Sequence, residues 1–131
     1  GRLSEAFKTT KGKFVKPSNI EDVMADLQLL GQMCAIGHGM EAPVLLAGLS
    51  EVGATKARAD IEAELIAQLP AINARLAAHE RIAQIFLVAD EWTIDNELLT
   101  PTMKMKRNSL VTKYQALVEA SAVDSTVVWE S

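Results

Sequence analysis

The chain has 131 residues, a length suited to one domain with a modest core. Hydrophobic residues at 49% and charged residues at 23% exclude a disordered chain, and a net charge of -4 argues against a general nucleic-acid or membrane-surface binder. A single cysteine, Cys34, excludes an internal disulfide, and no apolar run reaches membrane length.

Without a signal peptide, a reducing cytoplasmic setting is the default expectation. The chain starts at Gly1 without an initiating methionine, which reads as an excised piece of a longer protein. The charge distribution is more telling than its sum. Of 13 basic residues, five lie in the first sixteen positions (Arg2, Lys8, Lys11, Lys13, Lys16), and Lys104, Lys106, Arg107 and Lys113 form a second group. The acidic residues crowd between Glu21 and Glu97. Two basic arms that met in space would give an acidic protein one positive face.

In chain order, Leu3 to Lys16 alternates loosely around Thr10-Lys11-Gly12, the pattern of a β-hairpin with Gly12 in the turn. Its lysines are also what an edge strand uses against aggregation. Pro17 stops the hairpin. Ser18 with Glu21 predicts a capping box, and Ile20, Val23, Met24 and Leu27 mark a helical face. Leu29 to Gly37 and Pro43 to Leu49 predict two buried antiparallel strands joined by a turn around His38. That histidine has no second His or Cys at ligand spacing, so no metal site is expected.

Thr55 to Gln68 predicts a helix with Ile61, Leu65 and Leu69 inward. Pro70 predicts the start of a second helix, with Ile72, Leu76 and Ala77 inward, reaching about His79. Arg81 to Ala89 predicts a buried strand, and Asp90 to Asn96 a turn-rich connection with Trp92 covering the core. A last helix is expected from about Asn108 to Ala120, and a short docked strand in the tail Val123 to Ser131. The class is α+β: an N-terminal hairpin, then a small, mainly antiparallel sheet packed with helices.

The stretch from Glu97 to Tyr114 organises the rest. Leu98 and Leu99 make an apolar foot, Pro101 bars a helix just before it, and no acidic residue stands between Leu98 and Val118. Lys104 therefore sits on a short irregular segment between a strand-like run and an amphipathic helix carrying Leu110, Val111, Tyr114, Leu117 and Val118. The simplest reading of lysines at a helix start is a solvated surface. Against it, basic charge at a helix N-terminus opposes the helix dipole, so something besides helix stability selects it. The placement suits a lysine that reaches a phosphate or carboxylate held elsewhere.

Two stretches resemble a known family. Residues 1–21, from Gly1-Arg2-Leu3-Ser4-Glu5 through Lys11-Gly12-Lys13 to Pro17-Ser18-Asn19-Ile20-Glu21, resemble the hinge-and-hairpin motif that opens the C-terminal domain of adenylate-forming enzymes. Leu98-Leu99-Thr100-Pro101-Thr102-Met103-Lys104-Met105-Lys106-Arg107 is similar to the C-terminal lysine motif of the long-chain acyl-CoA synthetase branch.

The resemblance implies one C-terminal lid domain over residues 1–131, with residues 1–17 as hinge and hairpin and a large N-terminal domain lying outside it. It implies a ligase that activates a fatty acid with ATP and magnesium to an acyl-adenylate, then transfers the acyl group to coenzyme A. No cofactor would be tightly held by this chain alone, which would be inactive as a ligase. Lys104 matches the adenylation lysine, Arg2 the arginine near the nucleotide ribose, and Glu5 the hinge position. Gly12 matches the glycine beside which the pantetheine arm passes, and Lys11, Lys13 and Lys16 are placed by charge to meet coenzyme A phosphates.

The implied partners are the enzyme's own N-terminal AMP-binding domain and a fatty acid, with no nucleic acid; peripheral membrane association of the intact enzyme stays open. The chain departs from the wider pattern at Met103, where glycine is usual, and at Ser4, where lysine or aspartate is common. Two other readings compete: a fatty acyl-AMP ligase that does not use coenzyme A, and a non-catalytic module binding an anionic partner. Aromatics at 5% argue against single-stranded nucleic acid as that partner.

Overall fold

The computed structural model describes residues 6–121 and 124–131. Strands β1 (Phe7–Lys8) and β2 (Phe14–Val15) pair antiparallel, with Phe7 opposite Val15, as the hairpin pattern requires. Gly12 stands in the turn at φ 78°, a left-handed angle glycine adopts without steric cost, and its N–H closes the turn on the Thr9 carbonyl. Helix α1 (Pro17–Met24) follows, with Pro17 at its first position and Ile20 and Met24 buried.

Strands β3 (Leu30–Ile36) and β4 (Val44–Leu49) form the expected antiparallel pair. A short α2 (Glu51–Ala54), capped by the Ser50 hydroxyl, then leads into α3 (Arg58–Asn73). Strand β5 (Gln84–Leu87), helix α4 (Arg107–Ala120) and strand β6 (Val127–Trp129) complete the described elements.

The four longer strands order as β3-β4-β5-β6. The α+β class and the separate hairpin stand, but this sheet is mixed rather than mainly antiparallel. β4 pairs with β5 in parallel, and so does β5 with β6. The cause is connectivity: each of these pairs is joined through a helix, and a crossover returns the chain in the same direction.

Strand alternation sends Ala35, Leu45, Ala47, Ile85 and Leu87 to one face, under α1 and α3, where Ile20, Met24, Ile61, Leu65 and Leu69 meet them. Cys34, Ile36, Val44, Leu46 and Phe86 go to the other face, under α4 and the 92–99 connection. Both faces are covered, which is why β4 and β5 read as continuous apolar runs. Truncating a fully buried member such as Leu65 to alanine would cost about 2–5 kcal/mol.

Three local expectations are corrected. The Ser18–Glu21 capping box does not form: Lys16 caps α1 without a side-chain bond, and the Glu21 carboxylate faces Arg107 and the Ala35 N–H instead. Pro70 does not start a helix but lies inside α3. The inward positions Leu65, Leu69 and Ile72 are all buried along one side, and that shared burial holds the last turn through the proline. That helix ends at Asn73 rather than near His79; Ala78–Glu80 is a separate 3-10 turn, and Ala77 is exposed. Val123 lies outside the described residues.

Candidate functional site

The segment carrying Lys104 is braced before, within and after its loop. Upstream, Trp92 is buried and its indole N–H donates to the Tyr114 hydroxyl of α4 at 3.3 Å. Gln32 of β3 holds the Trp92 backbone at both polar atoms, accepting from its N–H and donating to its carbonyl, each at 2.8 Å. Asn96 then folds the connection back: its Oδ1 accepts from the N–H of Thr93 and its amide donates to the Glu91 carbonyl. The Thr93 carbonyl in turn accepts from the N–H groups of Leu98 and Leu99. Both leucines are buried.

From this foot the chain makes a tight loop. Leu99 and Met105 form an antiparallel bridge, the Thr100 N–H donates to the Lys104 carbonyl at 2.7 Å, and the Lys104 N–H donates to the Thr100 hydroxyl at 3.1 Å. The Met103 N–H closes a turn on the Thr100 carbonyl. Met103 has φ 67°, an angle uncommon for a residue with a side chain, and its side chain is 65% exposed. So the position where the wider pattern has glycine is one that glycine suits, and methionine sits there under backbone strain of the kind that clusters at functional sites. Lys104 is exposed, and among the described residues its ammonium has no hydrogen-bond or ion-pair partner.

Downstream, Arg107 opens α4 and reaches to Glu21 of α1. Its two terminal nitrogens grip the two oxygens of Glu21, each at 2.6 Å, in a fork in which both side chains are largely buried. Glu21 Oε2 also accepts from the Ala35 N–H, and Arg107 Nη1 lies 3.7 Å from the Cys34 sulfur. Such a pair costs about 3–5 kcal/mol to break from one side, because the remaining charge stays buried. Burial and the Glu21 charge push the Cys34 thiol up to about 12, with Arg107 pulling the other way.

The second group of site candidates lies on the β1–β2 hairpin. Lys11, Gly12 and Lys13 are exposed at its tip, and a side-chain carbon at Gly12 would meet only Lys8 Cε, at 3.8 Å. Below the tip, the Thr10 N–H donates to the Met40 carbonyl and the Gly39 N–H to the Lys8 carbonyl, seating the hairpin on the β3–β4 turn. Phe7 enters against Gly37, where an added Cβ would lie 2.5 Å from its ring. A cleft of about 430 Å³ separates the hairpin base at Phe7 from α4 at Asn108 and Val111.

The described contacts join no hairpin lysine to Lys104, and two of the lysines are drawn to rings: Lys8 lies over Phe14 and Lys113 over Tyr114. Arg2 and Glu5 lie outside the described residues. The Glu21–Arg107 fork and the Gln32–Trp92 bracket carry no signal in a single sequence, whereas Thr93-x-x-Asn96 is a readable turn pattern. No described helix is long and apolar enough to cross a membrane.

A family model described as AMP-binding enzyme C-terminal domain matches residues 6–124. A peroxisomal acyl-CoA ligase of Penicillium brevicompactum is 26% identical, over 90% of this chain and 20% of its own length. A long-chain-fatty-acid–CoA ligase of Mycobacterium tuberculosis is 27% identical, over 92% of this chain and 23% of its own. Among solved structures, the A-PCP didomain of the carboxylic acid reductase from Segniliparus rugosus, in complex with AMP, superposes with a TM-score of 0.76. Its sequence is 21% identical, over 88% of this chain and 17% of that one. The chain thus spans about a fifth of the length of the proteins it matches.

Proposed function

The chain belongs to the AMP-binding enzyme C-terminal domain family, that of adenylate-forming enzymes including acyl-CoA ligases, and from that premise we propose that it is the mobile lid of an ATP-dependent, AMP-forming ligase joining a long-chain fatty acid to coenzyme A. Residues 1–131 act in this reading as one lid domain. Residues 1–17 are its hinge and hairpin, and the large AMP-binding domain is its partner. The observation that carries the reading is the Lys104 ammonium: exposed, without a partner among the described residues, and on the closing arm of a tight loop braced on both sides.

In the first half-reaction a carboxylate oxygen of the fatty acid attacks the α-phosphorus of ATP, and pyrophosphate leaves. Lys104 approaches from the lid and offsets the negative charge gathered between carboxylate and phosphate. Docking the lid strips water from that ammonium, which strengthens its pull on both groups. Arg2 contacts the nucleotide ribose and Glu5 lies at the hinge. Magnesium bound with the nucleotide would offset phosphate charge there, and no residue of this chain is assigned to hold it. In the second half-reaction the coenzyme A thiol displaces AMP from the acyl-adenylate. The hairpin then faces the pantetheine arm, and the open space around Gly12, flanked by Lys11 and Lys13, supports that role.

The test is Lys104→Ala in the intact enzyme. Fatty-acid-dependent ATP–pyrophosphate exchange is expected to fall on the order of a hundredfold, while thioester formation from pre-made acyl-adenylate is largely kept. Equal loss in both half-reactions would overturn the reading. A second reading, in which the acyl group passes to a carrier protein, draws on the A-PCP architecture of the Segniliparus neighbour. It would show as adenylation without coenzyme A turnover.

A further inference from the structure

Helix α4 begins badly by its own chemistry. Its cap, Lys106, makes no side-chain bond to the first turn, that turn holds no acidic residue, and Arg107 opposes the helix dipole. Left to itself such an end frays, and the residue three positions before Arg107 is Lys104. The end is instead held by the fork from Arg107 to Glu21 of α1, and Glu21 is itself fastened to β3 through the Ala35 N–H at 2.9 Å. Three elements thus converge on one guanidinium, directly downstream of the Lys104 loop. The loop's other foot is fixed separately, by the Gln32 bracket on Trp92.

We propose that Glu21 and Arg107 are positioning residues for the adenylation step, setting the place of the Lys104 ammonium through the backbone of residues 104–107. This rests on the reading of Lys104 given above. The fork is the relevant property: a lysine at 107 keeps the charge but cannot make two parallel bonds to one carboxylate. The pairing also keeps the guanidinium off the anions that Lys104 is to meet.

The experiment uses the intact enzyme with Arg107→Lys, Glu21→Gln, Lys104→Ala and the double variant Lys104→Ala/Arg107→Lys, assayed well below their melting temperatures. Arg107→Lys and Glu21→Gln are each expected to cut adenylation roughly tenfold, the scale of loss that follows a small misplacement of a reacting group. The KM for ATP and transfer from pre-made acyl-adenylate should each stay within about twofold, because only the lysine's place is disturbed. The double variant is expected to be no worse than Lys104→Ala, since Arg107 acts only through the lysine. If Arg107→Lys fails to fold, Glu21→Gln, which keeps an acceptor for the Ala35 N–H, carries the same comparison. Parallel loss of both half-reactions, unaffected adenylation, or a multiplicative double variant would each overturn the proposal. Full adenylation by Lys104→Ala would instead overturn the reading of the site itself.

Discussion

Gln32 and Trp92 hold each other by two 2.8 Å hydrogen bonds, side-chain amide to backbone N–H and carbonyl, across a 60-residue separation in the chain. The amide stands in for a strand partner: it satisfies both polar atoms of a residue whose indole is buried. Gln32→Ala is expected to lower stability by about 1–3 kcal/mol, the cost of leaving part-buried backbone groups unpaired. Gln32→Glu, which loses the donor and sets a charge beside the Trp92 carbonyl, should cost at least as much. Urea denaturation with an unchanged m-value checks both.

Met103 offers a sharper test, because its side chain is mostly in solvent and its backbone is not at ease. Met103→Val should destabilise by about 1–2 kcal/mol, since a β-branched residue tolerates a left-handed angle worst. Met103→Gly should be near neutral, the relief of strain offset by the greater freedom of glycine in the unfolded chain. Thermal melts that ranked the two variants equally would mean that the angle is not held in solution.

At Gly12 the geometry separates two roles. Any side chain there bears the same backbone cost of about 1 kcal/mol at φ 78°, and the nearest heavy atom leaves room even for a large one. Gly12→Ala and Gly12→Trp should therefore melt at similar temperatures. If the pantetheine arm passes this tip, Gly12→Trp alone should accumulate acyl-adenylate while transfer to coenzyme A stalls. A folded Gly12→Trp enzyme that transfers at the parent rate would remove this residue from the site.

Cys34 predicts a pH dependence. Its thiol holds its proton up to about 12 in the folded chain, against a reference of 9.0. Between those values the unfolded state releases the proton and the folded state keeps it, so stability is full below about pH 9 and falls as pH rises. Cys34→Ala should lack this part of the alkaline loss, measured as denaturation midpoints from pH 8 to 10.5. The native thiol should also resist alkylation at pH 8 and react once the chain is unfolded.

The elements read from period and punctuation are those whose signals are local. Gly12 in a lysine-flanked turn, Ile20 and Met24 on the inner face of α1, the apolar strands on either side of His38, and Leu110, Tyr114 and Val118 on α4 each carry their information within a few residues. What was not legible depends on partners far away in the chain. Ser18 and Glu21 stand at capping-box spacing, but Arg107, 86 residues on, offers Glu21 two charged bonds where the cap offered one. Pro70 reads as a helix start until the burial of Leu69 and Ile72 decides otherwise. Strand direction was hidden for the same reason, since antiparallel and parallel partners have the same apolar pattern. At the site, the Lys104 loop could be located from its neighbours, but the bracket and fork that hold it could not.

The parallel pairing of β5 with β6 also bears on how the domain is made. Ile85 to Leu87 take their last partners from Val127 to Trp129, and Arg58 of α3 closes over the Trp129 ring. A ribosome delivers this sheet in the order β3, β4, β5, and the outer edge of β5 then waits about forty residues for its cover. Until those residues emerge, an apolar edge stands open to other nascent chains, the exposure that favours misassembly. Folding of this domain is therefore expected to finish late: Lys104 and its loop have already been synthesised before the edge of β5 is sealed.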